Sequence, residues 1–418
     1  MKMLSVLISL LLYSQVIVSQ NKTLPLNMPN CVLLDSNRIW QPVNEAWQTR
    51  CFIAKLDSVL LMGQGRVNIL HIGGSHVQAD MYTHVIRQCF DSLNAGLRPP
   101  RGFLFPYKIA KTNNPLNFSV SYGGEWSSAR NAAKKFTPTQ GLSGINVQTA
   151  DTTASFNIKL NRDSLHRYYT THIKLFAYSR DNGISPIIIA EDSTQHHAYQ
   201  VTRIDTSAIS SVYSFNIPYS EQFSVCFDFS DSSIVRHDTI TITGIYTDND
   251  EPGIVYNSVG VNGASVPSYL GCNDFERDIK VVNPDLAIFG IGINDATASD
   301  FSDSLLVANY NTLIAEIRRA APECALLFIT NNDSYNRRQR KYFVNKNGLI
   351  ARSAFYELGN EWNSGVWDLF QIMGGLESMK KWQQEGLASK DKVHFTFAGY
   401  DIVGRLFWQA FSDFYLNY

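Results

Sequence analysis

The chain has 418 residues, with 36 Lys plus Arg against 37 Asp plus Glu and a formal net charge of -1. That balance leaves no global field to hold nucleic acid or an anionic membrane surface. At 44% hydrophobic and 17% charged residues, the composition is that of a globular protein with core enough for more than one domain.

Residues 1–19 read as an export signal. Lys2 is the charged start, Met3 to Val18 the apolar core, and Ile17-Val18-Ser19 a cleavage site that would leave Gln20 first. No cysteine stands there to take a lipid, and no later apolar run is long enough to span a bilayer. The expected product is exported, periplasmic or secreted, without a membrane span. Six cysteines, Cys31, Cys51, Cys89, Cys226, Cys272 and Cys324, permit disulfides in such a chain. Cys31–Cys51 is the favoured pair, because both precede the first strand. The spacings match no zinc motif, so no metal is expected. The sequons at Asn21, Asn117 and Asn332 read as chance.

After a lead-in with Pro25, Pro29 and Pro42, a helical patch runs from Asn44 to about Leu61. Val67 to Ile72 is a β-branched and aliphatic run that ends on Gly73-Gly74-Ser75, with a helix-compatible segment from Gln78 to about Leu93. This predicts a buried strand, a tight turn and a helix start. From Gly102 to about Gly253 the character changes. Alternating runs at 117–122, 154–160, 168–177, 184–189, 211–217, 223–229 and 239–246, with turn residues between, predict antiparallel strands in a sandwich or jelly roll. The α/β pattern then resumes. Leu286–Gly290 and Cys324–Thr330 read as buried strands and Val366–Phe370 as a short one. Phe301 to Arg319, Tyr335 to Leu358 and Thr396 to about Phe414 read as helical. The expected architecture is α/β, a three-layer parallel-sheet domain made of residues 20–102 and 251–418, with an inserted antiparallel β domain at 103–250.

Chemistry concentrates at the turns. In an open α/β sheet the turn after a strand lies where ligands bind, so Ser75 has its hydroxyl in the cleft. Asp391-Lys392-Val393-His394 precedes the last helix, and the three-residue spacing lets the carboxylate hold one ring nitrogen and leave the other free. Gly263, in Gly260-Val261-Asn262-Gly263-Ala264-Ser265, and Asn294, in Gly290-Ile291-Gly292-Ile293-Asn294-Asp295, offer donors to a developing oxyanion. Taken singly, Ser75 is equally a helix N-cap, Asp391 to His394 a surface loop, and Gly263 and Asn294 turn residues.

Together, in this order, the four blocks resemble the SGNH (GDSL-like) hydrolases, over residues 67–93 and 254–415. Ser75 falls on that family's nucleophile, Gly263 and Asn294 on its glycine and asparagine blocks, and Asp391 and His394 on its last block. A closer resemblance is to bacterial peptidoglycan O-acetylesterases, which carry an inserted carbohydrate-binding-like jelly roll. It rests on Ser75-His76-Val77-Gln78-Ala79-Asp80, on Tyr256 to Ala264, and on Met373-Gly374-Gly375-Leu376 with Met379 to Trp382. One position departs: the Asp that precedes the serine in the family, where it braces the active-site loops, is Gly74 here.

The resemblance implies that His394 takes the proton from Ser75 and Asp391 fixes the imidazole. The N–H groups of Ser75 and Gly263 and the amide of Asn294 would receive the oxyanion. It implies an acetylated cell-wall glycan as substrate, no metal and no other cofactor. The Gly-x-Ser-x-Gly elbow of α/β-hydrolases is absent, because residue 77 is valine. Alternatives are deacetylation of xylan or another polysaccharide, acetyl transfer to a glycan, and a carbohydrate-binding protein with weakened turnover, which only Gly74 supports.

Overall fold

The computed structural model describes residues 28–93, 96–133, 140–161, 167–179, 184–191, 196–206, 210–229 and 238–418. The expected export signal and the Asn21 sequon lie outside them. Six strands form the central sheet: β1 (Ile39–Trp40), β2 (Arg66–Gly73), β3 (Gly253–Gly260), β4 (Leu286–Gly290), β5 (Ala325–Ile329) and β6 (Gly365–Trp367), in the order β1-β6-β5-β4-β2-β3. All pairs are parallel except β1 with β6. The chain places β3 on one side of β2 and β4 on the other, so the strand order reverses there. A crevice opens at such a reversal, beyond the carboxyl ends of the strands.

The period-2 alternation of β2 sorts its side chains between two cores. Val67 and Ile69 pack with Phe52, Ile86, Phe90, Phe407 and Phe411 from α1 (Trp47–Met62), α3 (Tyr82–Leu93) and α7 (Phe397–Leu416). Leu70 and Ile72 pack with Ile279, Tyr310, Leu313, Phe355 and Leu358 from α4 (Phe275–Val282), α5 (Asp303–Ala320) and α6 (Asn347–Glu361). Between β2 and α3 stands the one-turn α2 (Ser75–Gln78). The expected single helix from Gln78 to Leu93 is therefore broken. The break is at Asp80, which has φ 47 and a buried carboxylate drawn into an ion cluster.

All seven alternating runs are strands, and Gly102–Leu104, Ser127–Arg130, Ile145–Thr149, His196–Tyr199 and Arg203–Thr206 add to them. They form a seven-stranded and a five-stranded antiparallel sheet. Phe103, Phe156, Phe176, Phe223 and Ile245 from these sheets share one apolar cluster with Leu70 and Ile72 of β2.

Three expectations are corrected. Tyr335 to Leu358 is not helical throughout: Tyr335–Arg338 and Lys341–Val344 pair as a hairpin before α6. Packing of Tyr335 and Tyr342 around the Lys392 side chain outweighs the good helix propensity of the Arg, Gln and Lys between them. The strand expected at Val366–Phe370 stops at Trp367, because the Asp368 side chain accepts the Gln371 N–H and caps a new helical turn. Cys31 and Cys51 do not pair, and both thiols are free. The Cys31 segment is tied by the Leu33 N–H to Ile372, while Cys51 lies on α1. Among the described residues no helix is long and apolar enough to cross a membrane.

Candidate active site

Three glycines end three neighbouring strands in register: Gly260 of β3 pairs with Gly73 of β2, which pairs with Gly290 of β4. A Cβ on Gly260 would lie 2.4 Å from the Gln78 nitrogen, and one on Gly73 would lie 2.2 Å from Val77. Glycine at these places lets α2 settle directly on the sheet edge, where its first residue, Ser75, faces the crevice.

There the Ser75 hydroxyl donates to His394 Nε2 at 2.7 Å, and His394 Nδ1 lies 2.7 Å from Asp391 Oδ2. With the ring hydrogen on Nδ1 and given to Asp391, Nε2 is the acceptor for the serine. Asp391 also takes the backbone N–H groups of Val393 and His394 on its other oxygen, at 3.0 and 3.1 Å. Burial pushes its carboxyl upward, but the bonds from His394 and the two N–H groups outweigh this and hold it well below the usual carboxylate range. Asp391 is thus an anion throughout the neutral pH range. The side chains of His394 and Asp391 are 38% and 49% exposed, which makes the site an open rim rather than a tunnel.

The other two turns close on the same edge. Asn294 Nδ2 donates to the Ala264 carbonyl at 2.8 Å, and it lies 3.4 Å from where a Cβ on Gly74 would stand. The second hydrogen of that amide is left for another acceptor. Gly263 has φ 85, a left-handed conformation suited to glycine, in the turn between Val261 and Ala264 that flanks Gly74. Asp295 Oδ1 and Oδ2 each lie 3.2 Å from the Val266 N–H, and burial pushes this carboxyl up to about 6. All five expected residues, Ser75, Gly263, Asn294, Asp391 and His394, therefore stand at one sheet edge.

Sequence reasoning missed the residues that hold these turns. Gln78, buried one helical turn after Ser75, accepts the Asn262 N–H on Oε1 at 2.6 Å, next to Gly263. Its Nε2 donates to Thr112 Oγ1 and Asn113 Oδ1 at 3.0 and 2.9 Å. Asn262 Nδ2 reaches the same Asn113 oxygen at 2.6 Å. Asp80 accepts from Arg87, Arg101, Thr83, Ser258 and Asn117, joining the turn after α2 to β3 and to the 101–117 segment. Beneath the edge, His71 is fully buried between Tyr256 and Tyr82, with ring nitrogen to hydroxyl distances of 2.6 and 2.9 Å. Burial pushes its pKa down to about 3. The run Ser75 to Asp80 was legible as one block. What was not legible is that Gln78 and Asp80 bond to groups far away in sequence.

Among the described residues no His, Cys, Asp and Glu side chains are grouped to hold a metal ion. A cavity of about 30 Å³ lined by His76, Tyr82, Gly290 and Asn331 lies behind the site. It has room for a water or two rather than a substrate.

Residues 246–402 match the model of the GDSL-like Lipase/Acylhydrolase family. That segment is similar to the GDSL-like acylhydrolases. The protein is accordingly a carboxylic ester hydrolase, and the match contains Gly263, Asn294, Asp391 and His394 but ends short of Ser75, which the antiparallel strands separate from it in the chain. No curated protein matches the acylhydrolase. A solved structure of a peptidoglycan O-acetylesterase has a TM-score of 0.70 at 20% identity, over 88% of this chain and 96% of its own. At that identity the likeness shows the fold, and its coverage leaves too little of the chain over to omit the antiparallel sheets. An acetyl xylan esterase matches over 38% of this chain and 81% of its own, with 19% identity and a TM-score of 0.31. A GDSL-like lipase from Bacteroides thetaiotaomicron matches over 38% and 76%, with 16% identity and a TM-score of 0.29.

Proposed function

We propose that the acylhydrolase is an exported serine O-acetylesterase that removes acetyl groups from a cell-wall glycan. The observation that carries the reading is the unbroken relay from the Ser75 hydroxyl through His394 to Asp391, each link 2.7 Å long. His394 takes the hydroxyl proton as Ser75 attacks the acetyl carbonyl, and Asp391 stabilises the imidazolium. The Ser75 and Gly263 N–H groups and the free hydrogen of the Asn294 amide receive the oxyanion. As the ester C–O bond breaks, His394 gives its proton to the departing sugar oxygen, which leaves as a hydroxyl. Water, activated by the same histidine, releases acetate and restores Ser75.

An open, polar rim suits an acetyl on a large glycan. Polar side chains gather around this turn: Asn294 stands beside Gly74, and Gln78 holds the Asn262 N–H. Residues 103–250 are read as an inserted domain that shapes glycan access. An open groove of about 790 Å³ lined by Trp126, Gln148 and Asp151 flanks the strand Ser127–Arg130. That strand leads to Ala132, whose Cβ is the nearest neighbour of a Cβ built on Gly263, at 3.7 Å. None of the five site residues lines the groove, so its part is binding rather than chemistry. Export follows from reading residues 1–19 as a signal, and it would place the enzyme beside the wall.

Gly74 does not favour the weakened-binder reading, because Gln78 and Asn113 brace the oxyanion turn in this chain. The test is mass spectrometry of O-acetylated muropeptides and of acetylated xylan after incubation, beside acetate release from an aryl acetate. The reading expects loss of acetyl from muropeptides. Turnover of xylan alone would move the substrate, and turnover of neither, with the aryl acetate intact, would remove the glycan assignment.

A further inference from the structure

The hairpin Tyr335–Arg338 and Lys341–Val344 has no place in the chemistry above, yet it stands against the catalytic loop. The Tyr335 N–H donates to the Lys392 carbonyl at 3.1 Å, two residues before His394. The Lys392 ammonium lies 4.9 Å from the Tyr335 ring centre and 5.1 Å from that of Tyr342. Each strand has four residues, so the hairpin tip stands about 13 Å beyond that anchor.

We propose that this hairpin is a cationic arm that selects acetylated glycans carrying carboxylates near the ester; the proposal rests on the esterase reading. Three observations support it. Between Tyr335 and Lys346 the chain carries Arg337, Arg338, Arg340, Lys341 and Lys346 and no acid. Arg337, Arg338, Arg340 and Lys341 are exposed, and none makes an ion pair among the described residues. Asp333, just before the hairpin, is buried and takes the Met379 N–H, and Asp391 is committed to His394.

The arm also breaks two local rules. Arg338 and Lys341 are directly opposed in the ladder, a like-charge pair that destabilises a hairpin. The turn residues Gln339 and Arg340 have φ 48 and 66, where Asn and Gly are the favoured residues. Departures of this kind gather at functional sites. Paired residues share a face, and alternate positions along each strand share it as well. Arg338, Lys341 and the 52% exposed Phe343 therefore project together, away from the face that packs on Lys392. Two cations beside an exposed ring fit a sugar that stacks on the ring and carries an anionic substituent.

The carboxylates could belong to peptide stems or to uronic acid units, and the experiment separates the two. Binding and kcat/KM are measured for O-acetylated muropeptides and for acetylated oligogalacturonate. Each is used as it stands and after carbodiimide amidation of its carboxylates. The wild type is expected to prefer the carboxylate form of one or both by about tenfold at low salt, with the preference fading as salt is raised. The source that shows the preference identifies the anion. The triple variant Arg338→Gln, Arg340→Gln, Lys341→Gln should lose the preference while hydrolysing a neutral aryl acetate at the wild-type rate. Equal binding of native and amidated forms of both substrates by the wild type overturns the proposal, as does a preference that survives in the triple variant. Failure on the aryl acetate would count against the esterase reading instead, and the binding comparison still decides the arm.

Discussion

The parallel sheet and the antiparallel sheets bury side chains in one apolar cluster, where Leu70 and Ile72 of β2 meet Phe103, Phe176 and Ile245. They differ at their polar edges. Each turn that carries the proposed chemistry follows the parallel sheet: Ser75 after β2, Gly263 after β3, Asn294 after β4, with His394 and Asp391 leading into α7. The antiparallel part sends Thr112, Asn113, Asn117 and Ala132 to this edge, and they touch the turns or the ion cluster beneath them. On the proposed chemistry, the difference is one between groups that meet the ester and groups that hold those groups still. Effects on turnover of a small ester should therefore fall off from the first kind to the second.

After loss of the nucleophile itself, the largest effect belongs to Asn294. Asn294→Ala should lower kcat on an aryl acetate by about 10²–10³-fold with KM little changed, the usual loss for one oxyanion donor. An unchanged kcat would reduce Asn294 to a tie on the Ala264 carbonyl.

His71 tests the rigidity of the parallel edge from below. Its folded pKa, about 3, lies under that of an unfolded histidine, so its contribution is intact at neutral pH and is lost as pH falls from about 6.5 toward 3. By pH 5 the loss should be about 2 kcal/mol. Urea unfolding at pH 7 and 5 should show a loss larger by about that amount in the wild type than in His71→Gln, in which the buried His76 still titrates. Parallel pH profiles for the two would contradict the buried neutral imidazole.

Gln78 links the two regions. Gln78→Ala should lower kcat about tenfold through a displaced oxyanion turn, with KM little affected. Gln78→Glu keeps the acceptor for Asn262 N–H and should recover part of that loss. Equal loss in both variants would shift the weight to the bonds from Gln78 to Thr112 and Asn113.

The smallest effect is expected at Gly74. Its φ is negative, at -96, and a Cβ there would make only ordinary contacts, 3.4 Å from Asn294 Nδ2 and 3.5 Å from the Ala264 carbonyl oxygen. Gly74→Asp should raise kcat by a few-fold, the carboxylate accepting backbone N–H groups of the neighbouring turns and holding the oxyanion donors in place. No gain would show that Gln78 already supplies the bracing.

What was legible in the sequence follows the same division. Ser75, Gly263, Asn294, Asp391 and His394 sit in short turn motifs that the fold brings to one edge, and the seven alternating runs announce their strands. The hairpin at 335–344 was hidden, because Arg, Gln and Lys favour helix and only the Lys392 contact, across the chain, fixes the strands. Asp80 and Gln78 were hidden for a related reason. Nothing local marks an aspartate that gathers Arg87, Arg101, Ser258 and Asn117, or a glutamine whose partner is a backbone N–H at residue 262. A short motif carries reactivity, whereas bracing is a property of the assembled edge.

The most direct test of the account is rapid-quench peptide mass spectrometry during hydrolysis of an aryl acetate. The account predicts one acetyl group on the peptide containing Ser75, formed before steady-state acetate release and absent from Ser75→Ala, which should be inactive. An acetyl group carried by another residue, or full turnover by Ser75→Ala, would contradict it.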